Sequence, residues 1–277
     1  MPLQSMVPML KAAQQGGYAV GLFDVHTLEG VLGVLEAAAE LRSPVIVAPM
    51  GMPRKAAVAL IRELADRIPV PVAIELDHGR DFASVMDAIA AGFTDVMLDV
   101  STRPYEENVS QTKKVVEAAH LAGLGVEGEI GHVGRGDAYD RFEEVRAAFT
   151  QPEEAVRFVA ETGVDALAIA IGSAHGVYKG EPKLDFERLQ EIRSRVEVPL
   201  VLHGGTGIPD PDFQKAISFG IAKINIYTAM ALAAVDTLRE KLQNPDVRYM
   251  ELGRAVQEAI KEVVKHHMTV FGSAGKA

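Results

Sequence analysis

Eight short apolar runs alternate with stretches of helical period along this chain, and that alternation limits the possible folds more than any other feature. The runs cover residues 18–25, 44–48, 71–76, 95–99, 125–129, 166–171, 198–202 and 222–226. They are apolar runs and not polar–apolar alternations, which belongs to strands of a parallel sheet covered on both faces. Between them, segment 28–41 sets Leu28, Val31, Leu32, Leu35, Ala38 and Ala39 at helical spacing. Further helices are predicted over 54–68, 82–91, 106–121, 186–195, 211–219, 229–242 and 252–268, with a lead-in helix over 6–13 closed by Gly16 and Gly17. Another starts at Thr150, Pro152 and Glu153, with Thr150 as cap and Glu153 completing a capping box, and runs to Gly163. Eight such units close as a (β/α)8 TIM barrel, here with additional N- and C-terminal helices. A doubly wound open sheet is the alternative. The 277 residues are near the ~250 typical of a barrel, and polar residues stand at the carboxyl ends of nearly all the strands. An open sheet would gather its site at one switch point. The expected organisation is therefore a single barrel domain over 1–277.

Composition excludes several functions. The chain is 48% hydrophobic and 24% charged, enough for a large core, and its formal charge of −10 with no long basic run argues against nucleic acid as a partner. Without cysteine there is neither a disulfide framework nor a thiolate metal site. No signal-peptide pattern opens the chain and no apolar run approaches the ~20 residues of a membrane span, so a cytoplasmic protein with no membrane partner is expected.

Three of the strands end in the same way. Residues 71–80 read PVAIELDHGR, 166–176 ALAIAIGSAHG and 198–207 VPLVLHGGTG, so each apolar strand delivers one histidine followed by glycine. A single strand-end histidine is most simply a loop residue. Three at equivalent places form a zinc-type ligand set that leaves an open position, so His78, His175 and His203 are the expected metal ligands. Asp24, Asp77, Asp99, Glu129 and Asn225 also stand at strand ends, around the same mouth. Asp99 and Glu129 suit helix caps or hydrogen-bond acceptors, and equally a second cation position. Gly176 and Lys179, Gly204, Gly205 and Thr206, and Asn225 with Tyr227 and Thr228 occupy the loops after strands six, seven and eight. Glycines there make tight turns, but they also let backbone donors approach a phosphate, so a phosphorylated substrate is expected. His120, His266 and His267 lie in helices and read as structural. Segment 130–149, with Gly131, Gly134 and Gly136, has the composition of an active-site loop.

Across essentially its whole length the chain resembles the class II, zinc-dependent ketose-bisphosphate aldolases. The likeness lies in LDHG at 76–79, MLDVS at 97–101, VEGEIG at 126–131, AIGSAHG at 170–176, EPKLDFERL at 181–189, VPLVLHG at 198–204, AKIN at 222–225 and FGSAGK near the end. The resemblance implies one catalytic Zn2+ on His78, His175 and His203, with a second divalent or a monovalent cation beside it. It makes Asp77 the proton donor and acceptor at the cleaved hydroxyl, and has Gly176, Lys179, Gly204, Thr206, Asn225 and Thr228 hold a phosphate. The implied reaction is reversible retro-aldol cleavage of a fructose-bisphosphate, tagatose-bisphosphate or related ketose phosphate to dihydroxyacetone phosphate and an aldehyde. Related enzymes are dimers or tetramers, so a homodimer or homotetramer is expected, with the C-terminal helices at the interface. Several residues depart from the family pattern: Glu75 for histidine, Asp24 for asparagine, Val100 for glycine, Tyr227 for aspartate or a small residue, and Asp137 for the loop glutamate that moves the carbon-acid proton. Two other readings stay open at this point: a noncatalytic barrel subunit, and metal-assisted hydrolysis in the same barrel.

Overall fold

The computed structural model describes residues 3–137 and 146–277. Eight parallel strands close into a barrel: β1 (Val20–Val25), β2 (Val45–Pro49), β3 (Val72–Gly79), β4 (Asp95–Leu98), β5 (Gly125–Ile130), β6 (Ala166–Ile169), β7 (Leu200–Leu202) and β8 (Ile221–Ile226). Each pairs with its sequence neighbours, and β1 pairs with β8 through Val20 to Lys223 and Leu22 to Asn225, which closes the ring. Around it run α2 (Leu28–Leu41), α3 (Arg54–Ala65), α4 (Phe82–Ala91), α5 (Tyr105–Leu121), α6 (Pro152–Thr162), α7 (Phe186–Arg195), α8 (Asp210–Ser218) and α9 (Thr228–Lys241). The lead-in helix α1 spans Met6–Gly16 and the last helix, α10, spans Tyr249–Val270. No described helix is long and apolar enough to cross a membrane.

Two apolar cores follow from the two faces of each strand. Inward residues, among them Leu22, Ile46, Ala73, Met97, Ala168 and Val201, pack with Met6, Met9 and Leu10 of α1, which closes one end of the barrel. Outward residues pack against the ring of helices. Asp95, at the start of β4, ties α1 down: its carboxylate accepts from Ser5 Oγ at 2.6 Å, from the Met6 amide at 2.8 Å and from Thr94 Oγ1 at 2.8 Å. Burial outweighs these hydrogen bonds and pushes its pKa up to about 6.

Two local expectations fail. Thr150 does not cap α6, because its hydroxyl is used between strands, donating to the Ile130 carbonyl at 2.5 Å and accepting from the Ala170 amide at 2.8 Å. The cap position falls to Gln151, and Glu153 pairs with Arg195 at 2.6 Å instead of completing a box. Segment 130–149, with the composition of an active-site loop, also carries a short ladder. Gly134–Arg135 pairs in parallel with Ala174–His175 above the barrel, while residues 138–145 of that segment lie outside the described residues. The other helix starts and stops hold within a residue or a few, as with Gly163, whose φ of 74° closes α6.

Helices α2 and α10 meet at Gly33, where an added Cβ would lie 2.8 Å from the Gln257 carbonyl oxygen and 3.2 Å from Ile260 Cγ2. The first of these is backbone and cannot turn aside. Gly33→Leu is expected to lower unfolding free energy by ~1–3 kcal/mol, the usual cost of overpacking. Thermal denaturation checks this, and an unchanged midpoint would show that α10 shifts freely against the barrel.

Candidate active site

The carboxyl ends of the strands hold a cavity of about 350 Å³ lined by, among others, Asp24, Asp77, His78, His175, Asn225 and Thr228. His78 owes its position to a break in the ladder. The register between β3 and β4 shifts between Leu76 and Gly79, a bulge that turns the strand end, and His78 takes a left-handed φ of 47°. Gly79 is needed next, because a Cβ there would collide with the Met97 carbonyl. The Asp99 amide then donates to the Gly79 carbonyl at 2.8 Å, which brings the Asp99 carboxylate to 2.7 Å from His78 Nδ1. His203 ends β7, wholly buried, and the following Gly204, at φ 68°, lets the chain pass the Ala174 backbone without a clash. Tyr178 joins these two loops, its hydroxyl accepting from the Ala174 amide at 2.7 Å and donating to the Gly204 carbonyl at 3.0 Å.

The three histidines converge. His78 Nε2 lies 3.2 Å from His175 Nε2 and 3.1 Å from His203 Nδ1. The far nitrogen of His78 donates to Asp99, that of His203 donates to Glu127 Oε1 at 2.7 Å, and the Val133 backbone hydrogen-bonds the His175 ring. Protons held on the outer sides leave the inner lone pairs of His78 and His203 free, and the ring of His175 faces the same point. That donor set fits a metal ion, with the outer partners orienting the rings. Burial, reinforced by the other two imidazoles, pushes the His175 pKa down to about 4, so this ring is neutral, as a ligand must be. A second group, His78, Asp99 and Glu129, also has its donor atoms within 4.8 Å of one another. Glu129 Oε2 is buried without a hydrogen-bond partner, and burial together with the Asp99 charge raises its pKa to about 7.

Asp77 is 5% exposed and accepts from Asn225 Nδ2 at 3.1 Å. Burial opposes its ionisation, but positive charge in the histidine cluster and on Lys223 prevails and brings its pKa down to about 2, and a metal ion on the ring nitrogens would supply that positive charge in place of ring protons. Its neighbour Asp24 behaves oppositely. Burial and the Asp77 charge raise that carboxyl well above its ordinary range, and Asp24 Oδ1 has no partner. Two carboxyl groups share one site, and their surroundings push them in opposite directions, Asp77 towards the ionised form and Asp24 towards the protonated one.

The glycine-rich loops lie on the far side of the histidines. Gly176, Gly204, Gly205 and Thr206 line the cavity together with Tyr227 and Thr228 at the start of α9. Thr206 Oγ1 accepts from the Ala229 amide at 3.1 Å, so the amino end of α9 faces the cavity.

A search against protein-family models matches fructose-bisphosphate aldolase class-II over residues 4–276. The chain belongs to this family. It is 46% identical to a probable fructose-bisphosphate aldolase of Bacillus subtilis, with all of both chains covered. It is likewise 46% identical to a fructose-bisphosphate aldolase of Staphylococcus aureus over the full length of both. Among solved structures, the YdjI aldolase of Escherichia coli K12 superposes with a TM-score of 0.89 at 37% identity over 99% of each chain. The chain is thus an aldolase of the lyase class, whose reaction is reversible aldol cleavage of a ketose phosphate. Its histidine cluster is compatible with the metal dependence of the family.

Two residues named from the sequence lie away from the cavity. Lys179 is exposed and does not line it, its amide donating to the Gly136 carbonyl at 3.0 Å. Asp137 is also exposed, 3.6 Å from Arg135 Nε. Conversely, Arg135, His26 and Met50 line the cavity without having been singled out. Among the described residues Arg135 is its only lysine or arginine, carried there by the pairing of Gly134–Arg135 with the strand of His175. The ring of His26 packs on Tyr227 with centroids 4.8 Å apart. No sequence spacing signals these contacts.

Beneath His203, the buried Lys223 Nζ lies 2.7 Å from Glu127 Oε2 and 2.7 Å from Glu75 Oε2. Lys223→Met strands these carboxyls inside the barrel and is expected to cost ~3–5 kcal/mol, measured by urea unfolding. A cost below 1 kcal/mol would mean that both acids fold as neutral groups. Separately, His203→Ala is expected to abolish metal uptake by the folded protein. Full occupancy by metal analysis would remove His203 from the ligand set.

Proposed function

We propose that this chain is a zinc-dependent aldolase that cleaves a phosphorylated ketose to dihydroxyacetone phosphate and an aldehyde. The observation that carries this reading is Asp77, an ionised carboxylate held by Asn225 with Oδ1 4.0 Å from His78 Nε2, inside the cavity that also holds the glycine loops. His78, His175 and His203 hold the catalytic ion, and Asp99 with Glu129 offer a place for a second cation. A zinc ion held on these nitrogens would supply Lewis-acid stabilisation of the negative charge that develops as the bond breaks.

The chain's own residues do the rest. In cleavage, Asp77 takes the hydroxyl proton of the aldehyde-forming carbon, the oxygen closes to a carbonyl, and the bond's electron pair stays with the phosphorylated fragment. Asp137, which lies outside the cavity, returns a proton to that fragment's carbon only by swinging inward, and in condensation both transfers run backwards. Gly176, Gly204, Gly205, Thr206 and Thr228 receive the phosphate with their backbone and hydroxyl donors, and Arg135 adds the cation. Lys179 joins them only by swinging inward. Asp24, as a carboxylic acid, donates to Asp77 or to a substrate oxygen, which is the work of the asparagine amide it replaces. Tyr227 lines the sugar side. The active form is a cytoplasmic homodimer or homotetramer of single barrel domains. Leu232 and Val235 of α9 and Tyr249 and Met250 of α10, all exposed, are its natural contacts.

The test is a screen of phosphorylated ketoses with the metal-loaded protein, read as dihydroxyacetone phosphate formation. Release of inorganic phosphate with no triose phosphate would replace the aldolase reading with hydrolysis. Asp77→Ala is expected to keep its metal and lose ~10² or more in turnover. Loss of metal in that variant would reassign Asp77 as a ligand. Asp137→Ala is expected to slow solvent-deuterium exchange into dihydroxyacetone phosphate by ~10² to 10⁴. Exchange at the wild-type rate would transfer this role to another group. One such group is His132, which stands 3.1 Å from Ser101 Oγ.

A further inference from the structure

The loops that carry His175 and His203 are built into one another, and the join lies behind the cavity wall. Ala174 is its centre. On one side its backbone pairs with Gly134 in the two-residue ladder. On the other it packs so closely against Gly204 that a Cβ on that glycine would collide with the Ala174 carbonyl group. The Ala174 amide donates to the Tyr178 hydroxyl at 2.7 Å, and the same hydroxyl donates to the Gly204 carbonyl at 3.0 Å. The Tyr178 ring lies over Gly207, where a Cβ would be 3.3 Å from Tyr178 Cδ2. Segment 133–136 extends the join: the Lys179 amide donates to the Gly136 carbonyl at 3.0 Å, and the Val133 backbone hydrogen-bonds the His175 ring.

Each joined residue sits next to a residue of the site. Ala174 precedes His175 and Gly176, and Gly204 lies between His203 and the pair Gly205 and Thr206. His175, Gly176, Gly204, Gly205 and Thr206 line the cavity, whereas Tyr178 does not. The phenol is thus out of reach of an ion or a phosphate and acts only by fixing backbone. Ala174 and Gly204 are both buried, so removing the hydroxyl takes a partner from a buried amide and a buried carbonyl, and such groups are costly to leave unmet. Loops freed of this bond part from one another to meet water. Two ligands that hold the same loops in place assist each other: the first to bind meets the cost of ordering them, and the second finds them already ordered.

We propose that Tyr178 is a positioning residue whose hydroxyl makes the His175 and His203 loops one unit, so that an anion on the glycine loops tightens a metal ion on the histidines and the ion tightens the anion by the same factor. This rests on the ion and phosphate assignments of the proposed function and adds the device that links them. The equality of the two factors is required by linkage.

The experiment titrates the metal-free protein with Co2+, read by its d–d absorption, without and with inorganic phosphate, and then titrates phosphate without and with Co2+ by calorimetry. In the wild type each ligand is expected to tighten the other by ~5-fold or more, and in Tyr178→Phe by less than ~2-fold. Phenylalanine keeps the ring on Gly207, and thermal denaturation of the metal-free variant checks that it folds. Gly136→Ala reaches the same join independently, because its Cβ would lie 2.6 Å from the Val177 carbonyl oxygen and forces the two segments apart, and it is expected to lower the factor as well. At Gly134 a Cβ would meet nothing within 4 Å, so Gly134→Ala is expected to keep the wild-type factor. A wild-type factor in Tyr178→Phe would overturn the proposal, even if both ligands bound more weakly, since that is the mark of a hydroxyl that only stabilises the fold or of an anion that acts on the ion directly. Loss of the factor in Gly134→Ala would also overturn it, by showing that any change in the segment breaks the linkage. A wild-type protein that takes up no Co2+ or no phosphate refutes the site assignments themselves, and that result is read before any variant is made.

Discussion

The site depends on a lysine buried inside the barrel. Lys223 on β8, Glu75 on β3 and Glu127 on β5 are all wholly shielded from solvent, with the ammonium 2.7 Å from each carboxyl group. Three charges in such a place would be costly, since desolvation takes several kcal/mol per ion. The protonation states reduce that cost. Burial raises the Glu75 pKa well above its usual range, while for Glu127 the Lys223 charge and the His203 hydrogen bond overcome burial and lower it. Glu127 is thereby favoured as the anion facing Lys223, and ionisation of Glu75 is disfavoured beside them. The second oxygen of Glu127 is left to accept from His203 Nε2, so the charge that neutralises Lys223 also decides which nitrogen of His203 faces the other histidines.

Strain at the rim is held in place by this interior. His78 sits in a left-handed conformation that costs a non-glycine residue of order 1–3 kcal/mol when imposed at a functional site. What holds it there is the bulge between β3 and β4, the Asp99 amide on the Gly79 carbonyl and the Asp99 carboxylate on the imidazole. Removing any one of these would let the ring turn into the loop. The barrel strands on either side are apolar and wholly buried, and α1 closes the opposite end, so the distortion is confined to the end where chemistry is needed.

This division explains what could be read from the chain. The eight strands were legible because most are short, mainly apolar runs set between segments of helical period, and the three histidines because each follows such a run at an equivalent place. Asp77 and the glycine loops followed from those positions. Lys223 was not legible, since a lone lysine in IAKINI shows nothing of the two acids that reach it from across the barrel. Glu75 stood out as a departure, and its partner across the barrel supplies the reason an acid is tolerated there. Thr150 was misread because a threonine before Pro152 makes a good cap in isolation, and only the tertiary structure offers its hydroxyl a carbonyl and an amide on neighbouring strands. Arg135 was missed for a similar reason: its place over the cavity comes from a two-residue ladder with His175 that carries no periodic signal.

An acidic protein that takes anionic substrates must overcome its own field. The chain carries a formal charge of −10, and Asp24, Asp77, Asp99 and Glu129 crowd the site itself. Beyond ~8 Å at physiological salt the net charge is largely screened, so it neither helps nor prevents binding. Within that distance the donors are segregated. The amino end of α9, the glycine loops and Arg135 line one cavity, Arg54 and Arg80 the neighbouring one, and Asp77 is common to both, beside the histidines where a metal ion would offset its charge. The upward shift of the Asp24 pKa by burial and the Asp77 charge works against a further negative charge there. A substrate with negative ends and an uncharged centre matches this order, whereas a negative centre would meet Asp77. The arrangement thus selects by the position of charge along the substrate, and local placement achieves this where overall composition would predict repulsion.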